Sequence, residues 1–472
     1  MKRALSLDVL RGLSIFGMVL SGTIPFGGAL PSWMYHAQCP PPSHAFNPQV
    51  AGITWVDLVL PVFIFCMGAA IPLALTKKLE NGEGDLNLAK SMVSRFFFLV
   101  FFAIYIAHIL PHAIGEGLLS FDLLGQQIQG YDLQWLTLIG FALMFPMFRM
   151  IKDQKRKRIW RVIGWGGALG LLLVFRLVYG QEFSLHRSNI IILLLANVYL
   201  LGAIGWYFTR HSWLARFALF VFWGVVQLCC KYTGFDAVID GFQPTSWFFL
   251  FRMSHYMLLI IPATVVGDLL VDRLKSSADN QKHSGTSHWK HLFFVGVLLL
   301  VVWLTTALYQ RWMVAVFTVT PIAVGGLYLL VKKHLPQYMV LFTIAAYLIV
   351  IGLILEPVEG GIKKDHATAS YMLLTSGMAL CLLLFFDYVV DHWKESGLVK
   401  LLAGAGCNPL MAYVVTTWFM FPFLHVTFLF GIYELLYPFG FPWVGFYRAF
   451  ALVIGAMSLV YWMAKKKIIW RV

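Results

Sequence analysis

Two histidines and one carboxylate stand out in a chain that is otherwise poor in polar residues. His36 and His44 flank the triplet Pro40-Pro41-Pro42, and Asp57 follows shortly after. An imidazole titrates near neutrality, so a histidine beside a carboxylate is suited to work as a general base or an acyl carrier. Asp57 has a second reading. Thr54 can serve as the N-cap of a helix with Asp57 at N3, an acidic form of the capping box that the helix dipole favours. A stiff Pro triplet holds the two histidines apart, and the residues alone leave open which of them partners Asp57.

Other polar residues fall into two groups. Asp8 and Arg11 lie one helical turn apart and can pair on one face; they are either a helix-end ion pair or an anchor for an anion. Arg11 with Lys77, Lys78 and Arg95 forms the basic set expected to hold phosphates. The second group is Gln134, Arg252, His255, Asp268, the segment GGIKKDHATASY with Lys363, Lys364, His366, Ser370 and Tyr371, and Asn408 before Pro409. Two lysines after Gly360-Gly361 suit either an anion site or a contact to the histidine loop.

The elements that must position these residues are transmembrane helices. The 472 residues are 60% hydrophobic and 12% charged, with a mean hydropathy of +0.76. Soluble domains carry about 25% charged residues. Disorder, coiled coil, collagen and a small disulfide scaffold are excluded, and an outer-membrane barrel would give a weaker average hydropathy. The expectation is an all-α polytopic bundle of about fourteen spans (twelve to fourteen), running from 5–28 to 443–465, with the pairs around 292–355 least distinct. Lys and Arg cluster in alternate connections, including Lys77-Lys78, 152–161, Arg210, 273–290, Lys332-Lys333 and 394–400. That alternation predicts an even count with both termini cytoplasmic. It also accounts for the net charge of +14 without a nucleic-acid partner.

The N-terminal stretch reads as a retained first helix rather than a signal peptide, since it contains Asp8 and Arg11 and lacks a clear cleavage site. The predicted organisation is an N-terminal bundle over 1–275 with the histidine loop at 29–52, a cytoplasmic linker over 276–290, and a C-terminal bundle over 291–472. Six scattered cysteines show no metal or redox spacing. No metal is expected.

The segments SLDVLRGLSIFGMVL and GITWVDLVLPVFIFCMGAAIPL, with a His-Ala loop between them, resemble the start of the heparan-α-glucosaminide N-acetyltransferase family of transmembrane acyltransferases. The shared residues are Asp8, Arg11 and Gly12; His36-Ala37 or His44-Ala45; then Gly52, Thr54, Asp57, Leu58, Pro61, Phe63, Phe65 and Gly68. The likeness resumes at IKKDHATASYMLLTSGMAL, at DYVVDHW, at Asn408 and at the closing KKKIIWRV. The chain departs from the family in having two His-Ala pairs, of which His36 fits the upstream spacing and His44, the one we favour, the approach to Gly52, and in having Ser21 or Gly22 where members carry an Asn.

The resemblance implies transfer of an acetyl group from cytoplasmic acetyl-CoA to an amino sugar or glycan at the periplasmic side, through a loop histidine. Acetyl-CoA is then a co-substrate, and no cofactor is permanently bound. The expected catalytic residues are His44, His36 and Asp57. Donor contacts fall to Arg11, Asp8, Lys77, Lys78 and Arg95, and acceptor contacts to Asn408, Lys363, Lys364, Ser370, Tyr371 and Gln134. The expected location is a bacterial inner membrane, with the lipid bilayer as partner and association into a homodimer left open. The competing reading is a secondary transporter of a sugar or cell-wall fragment, which fourteen spans suit equally well. A glycan flippase is a weaker rival, because a wide cationic cavity is not evident.

Overall fold

A computed structural model describes residues 4–123, 126–151, 153–276, 288–435 and 441–470. The first half contains α1 (Leu5–Ser21), α2 (Trp55–Glu80), α3 (Asp85–His108), α4 (Tyr131–Phe148), α5 (Gln154–Tyr179), α6 (Ile190–Thr209), α7 (Trp213–Thr233) and α8 (Met257–Ser276). The second half contains α9 (His288–Tyr309), α10 (Met313–His334), α11 (Met339–Val358), α12 (Ala369–Trp393), α13 (Gly397–Cys407), α14 (Pro409–Val426) and α15 (Pro442–Lys465). One short antiparallel hairpin, β1 (Ser120–Leu123) with β2 (Gln126–Gln129), joins α3 to α4. The protein is an all-α multi-pass membrane protein.

Among the described residues twelve helices are long and apolar enough to cross a bilayer. Each holds an apolar stretch of membrane-spanning length, for which lipid is the fitting solvent. Two stretches expected as spans are not among the twelve: α1 has 17 residues, and α8 carries Asp268, Asp272, Arg273 and Lys275 in its last turns. The 276–290 linker lies, over residues 277–287, outside the described residues.

Helices from the two sides of the linker pack against one another. α1 packs on α12, α13, α14 and α15, and α2 packs on α8 and α12, so helices from both sides of the linker form one hydrophobic cluster. The tightest approach is between α1 and α13. A Cβ on Gly12 would lie 1.9 Å from the Leu402 carbonyl oxygen, and one on Gly406 would lie 1.9 Å from the Asp8 carbonyl oxygen. Small residues let membrane helices meet backbone to backbone in this way. Arg11 reinforces the contact by donating to the Gly406 carbonyl at 3.0 Å, and Asp8 sits 3.5 Å from Arg11. Gly406→Val should therefore lower the thermal midpoint of the purified protein sharply, since overpacking costs about 1–3 kcal/mol even where side chains can yield. Gly166→Ala, where a Cβ meets nothing within 4 Å, should leave it unchanged or raise it. Equal effects of the two substitutions in differential scanning would contradict this packing.

One end of the bundle carries the 22–54 loop. Gly22 and Thr23 after α1, Pro111 and His112 after α3, and Gly130 before α4 line a common cavity there. The C-terminal tail sits at the other end. Met150, just past α4, donates to the Ile469 carbonyl at 3.1 Å, and Trp470 packs among Phe141, Phe145 and Phe148.

Candidate active site

The histidine loop is folded back on itself before it enters α2. The Tyr35 hydroxyl donates to the Pro25 carbonyl at 2.7 Å and accepts from the Leu30 N–H at 3.0 Å. The Tyr35 carbonyl in turn accepts from the Thr54 hydroxyl at 2.6 Å. These bonds lay His36 and Ala37 over the first turn of α2. Gly52, at φ +138°, lets the chain pass close to the Leu308 carbonyl and donate to the Ile362 carbonyl at 2.9 Å. A side chain there would be strained.

Asp57 does both jobs proposed for it, one with each oxygen. Oδ2 accepts from the Thr54 N–H at 3.0 Å, which closes the capping box, and from the Ala37 N–H at 3.0 Å. Oδ1 is 2.6 Å from Nδ1 of His36. The carboxylate side chain is 1% exposed, whereas the His36 side chain is 39% exposed. A buried carboxylate thus orients an accessible ring. Because an ionised carboxylate only accepts, Nδ1 carries the proton, and in the neutral ring the lone pair is then on Nε2.

The histidine that Asp57 holds is His36, not His44. His44 has a positive φ of +50° and packs edge-on against the Tyr35 ring at 5.3 Å. It fills the space over Gly28, and its buried Nδ1 has no hydrogen-bond partner among the described residues. The side chain acts as a wedge that shapes the loop. Both histidines precede an alanine, so the local pattern does not separate them; the Tyr35-to-Thr54 tether does.

The second loop, 359–368, completes the site. Lys364 Nζ is 3.2 Å and 3.3 Å from the two ring nitrogens of His36 and 4.0 Å from Asp57 Oδ1. Burial holds its ammonium below the ordinary lysine range, although Asp57 and Asp365 pull the other way. Lys363 turns aside and donates to Gln49 at 3.2 Å. Gln38 and Asp365 link the loops again, through the Asp365 N–H to Gln38 Oε1 at 3.1 Å. Of the two readings of the lysine pair, contact with the histidine loop is thus present.

Ser370 and Tyr371, expected at the acceptor, are fully buried and act as supports. The Tyr371 hydroxyl donates to the Asp57 main-chain carbonyl at 2.6 Å, and the Ser370 hydroxyl lies 3.0 Å from that of Thr368. Glu359 accepts from the N–H groups of Ala369 and Ser370 at 2.9 and 2.7 Å, fixing the start of α12. Glu359, Thr368 and Gln38 were not singled out in the sequence. A Thr-x-x start and an acid before an apolar run were the available signals.

Three expected contacts lie elsewhere. Asn408 is buried and pins the C-terminal tail, donating to the Ile468 carbonyl at 3.2 Å and accepting from the Trp470 N–H at 3.2 Å. It is at the opposite end from His36 and has no place at the acceptor. Gln134 lines the cavity beside Gly22 and Thr23 rather than the His36 niche. The basic set does not converge on one point. Arg11 is engaged by α13, Lys77 is exposed, Lys78 bonds the Ser91 hydroxyl, and Arg95 stacks 4.3 Å over the Tyr199 ring. A cavity of about 400 Å³ does open beside Thr76 and Leu79 at that end, lined by Arg210, Arg216 and Lys275. Asp268 and Asp272 share it, and Arg216 is already paired with Asp268.

The fold and site define a multi-pass helical membrane protein with a buried carboxylate orienting an accessible histidine at one end. Residues 3–270, more than half of the chain, match the family described as a domain of unknown function (DUF5009), and the chain belongs to that family. No curated protein matches it. His36 and Asp57 fall inside the matched region; Lys364 and Tyr371 lie beyond it.

Proposed function

We propose that the protein is a membrane acetyltransferase that moves the acetyl group of acetyl-CoA to the amine of an amino sugar or glycan. The observation that carries this reading is the His36–Asp57 pair, with its Nε2 lone pair at an accessible ring and Lys364 against the same ring. In the direct route His36 Nε2 takes a proton from the acceptor amine as nitrogen attacks the thioester carbonyl. The C–S bond then breaks and CoA leaves as a thiolate that is reprotonated. In the two-step route Nε2 itself attacks, CoA leaves, and the acetyl-imidazolium is transferred to the amine. Either route uses the same tautomer, held by Asp57. Lys364 beside the reacting nitrogen supplies positive charge for the carbonyl oxygen as it becomes an oxyanion.

The arrangement of Lys and Arg runs supports an orientation with the His36 end periplasmic and both termini cytoplasmic, in a bacterial inner membrane. The test uses purified full chain in detergent or vesicles, acetyl-CoA with a labelled acetyl group, and a panel of amino sugars. The expected result is equal release of free CoA thiol and labelled acetylated sugar. Uptake of sugar into vesicles with neither thiol nor labelled product would favour the transporter reading instead.

A further inference from the structure

Lys363 and Lys364 are neighbours in the sequence and go separate ways in the fold. Lys363 donates to Gln49 Oε1 at 3.2 Å in an exposed contact. Lys364 turns inward, and its Nζ stands 3.2 and 3.3 Å from the two ring nitrogens of His36. Those nitrogens flank one ring carbon. In the ring plane, two such distances would press Nζ into that carbon, so the amine lies over the face of the imidazole. It is therefore out of line with the Nε2 lone pair, which stays open to a reacting carbonyl. Among the described residues the closest carboxylate oxygen to Nζ is Asp57 Oδ1, 4.0 Å away.

The amine is held in that position by its turn. His366 and Ala367, two and three residues on, have positive φ values of +83° and +47°. Consecutive non-glycine residues in this region are strained, and they persist only where the surroundings fix them. Three contacts do so here. Gln227 on α7 donates to the Ala367 carbonyl, the Thr368 hydroxyl donates to the Lys363 carbonyl at 3.2 Å, and Gln38 accepts from the Asp365 N–H. The Lys364 side chain is only 21% exposed, and burial disfavours its ammonium. The free amine so favoured is a nucleophile of the same class as the amino group of an acceptor sugar.

We propose that Lys364 is a self-acetylation site: when donor is bound and no sugar amine is present, the acetyl group passes to Lys364 Nζ and silences the enzyme. The proposal rests on the acetyltransferase reading for its donor. An acyl group on an imidazole nitrogen is coplanar with the ring, so a nucleophile reaches its carbon from above the ring plane, the side that Nζ occupies. In the two-step route Nζ attacks the acetyl carbon carried on Nε2, the C–Nε2 bond breaks, and its electron pair returns to the ring. In the direct route Nζ attacks the thioester carbon, the C–S bond breaks, and CoA leaves as a thiolate. Either way the proton shed by the new amide nitrogen passes to Nε2, and from there to the thiolate or to water. The acetylated Nζ carries no charge to meet an oxyanion, and its acetyl group covers the face of His36. A bound sugar amine competes for the same acetyl group, so the acceptor protects the enzyme.

The experiment incubates the purified full chain in detergent with acetyl-CoA labelled in its acetyl group and with no amino sugar. Free thiol is followed, and mass spectrometry of fragmented peptides assigns the label to individual lysines. Thiol should rise to about one equivalent per chain and stop, with the label on Lys364 and at least tenfold less on Lys363. Later transfer to the amino-sugar panel should fall in step with that label. His36→Ala should slow labelling of Lys364 by about 10²-fold or more, and Lys364→Arg should keep its own transfer rate through the same incubation. Transfer to a sugar with Lys364 unlabelled, or label spread evenly over Lys363 and other lysines, would overturn the self-acetylation and leave the acetyltransferase reading standing. If acetyl-CoA gives neither labelled sugar nor labelled protein, that reading fails, and p-nitrophenyl acetate replaces the donor in the same assay. Label on Lys364 that depends on His36 then keeps the site without acetyl-CoA as its donor, and no label removes both.

Discussion

Replacing His36 with alanine should abolish acetyl transfer while leaving the thermal midpoint and acetyl-CoA affinity close to those of the unaltered protein. The ring is 39% exposed, so its removal opens little buried space. The carboxylate it leaves is not stranded. Oδ2 keeps the Ala37 and Thr54 N–H groups, and Lys364 Nζ stands 4.0 Å from Oδ1. Loss of the general base or carrier typically costs on the order of 10²–10⁴-fold in rate. The comparison is His44→Ala. Its ring packs on Tyr35 and over Gly28 and is far less suited to chemistry, so that variant should retain transfer with a lowered midpoint. Added imidazole should partly restore turnover in His36→Ala alone. An active His36→Ala with an inactive His44→Ala would return the role to His44. Full activity in both would remove the histidine mechanism altogether.

The parts of this structure that were legible in the sequence are those set by local pattern. An unbroken apolar run specifies a membrane helix wherever it sits, so the helical bundle and most of its spans followed from composition and run length. The same locality explains the omissions. α13 is an 11-residue helix, GLVKLLAGAGC, too short to register as a span. Its meaning lies in the close contact with α1, to which Gly406 on α13 and Gly12 on α1 each contribute. The β1–β2 hairpin has no turn dipeptide strong enough to announce it. Within the site, the Thr54–Asp57 capping box is local and was readable, as was a carboxylate able to hold a histidine. Which histidine it holds is decided by the Tyr35 carbonyl meeting the Thr54 hydroxyl, a contact between segments. Asn408 illustrates the limit most clearly. Its partners, Ile468 and Trp470, are about sixty residues away, and nothing adjacent to Asn408 points to them. Lys364 was singled out as one of two lysines suited to an anion site or a contact to the histidine loop, and only the fold shows that it lies against the His36 ring.

Asp57→Asn should separate the two duties that the carboxylate combines. Its Oδ2 accepts from two main-chain N–H groups, those of Ala37 and Thr54. An asparagine can satisfy both only by presenting its carbonyl oxygen to them, which points its NH₂ at His36. That NH₂ donates, so His36 must accept at Nδ1, and the ring proton moves to Nε2. The lone pair needed for proton abstraction or attack is then gone, although the ring has not moved. Loss of the correct tautomer in a histidine–carboxylate pair costs about 10⁴-fold in kcat in the best-characterised case. A fall of about 10²–10⁴-fold is expected here, with little change in KM for acetyl-CoA and a nearly unchanged thermal midpoint because the cap survives. Asp57→Ala removes the cap as well, and a lost N-terminal cap costs about 0.5–2 kcal/mol. That variant should be both inactive and visibly less stable. The pair of results distinguishes orientation from mere folding: an Asp57→Asn protein that turns over at the unaltered rate would leave Asp57 with the capping role alone.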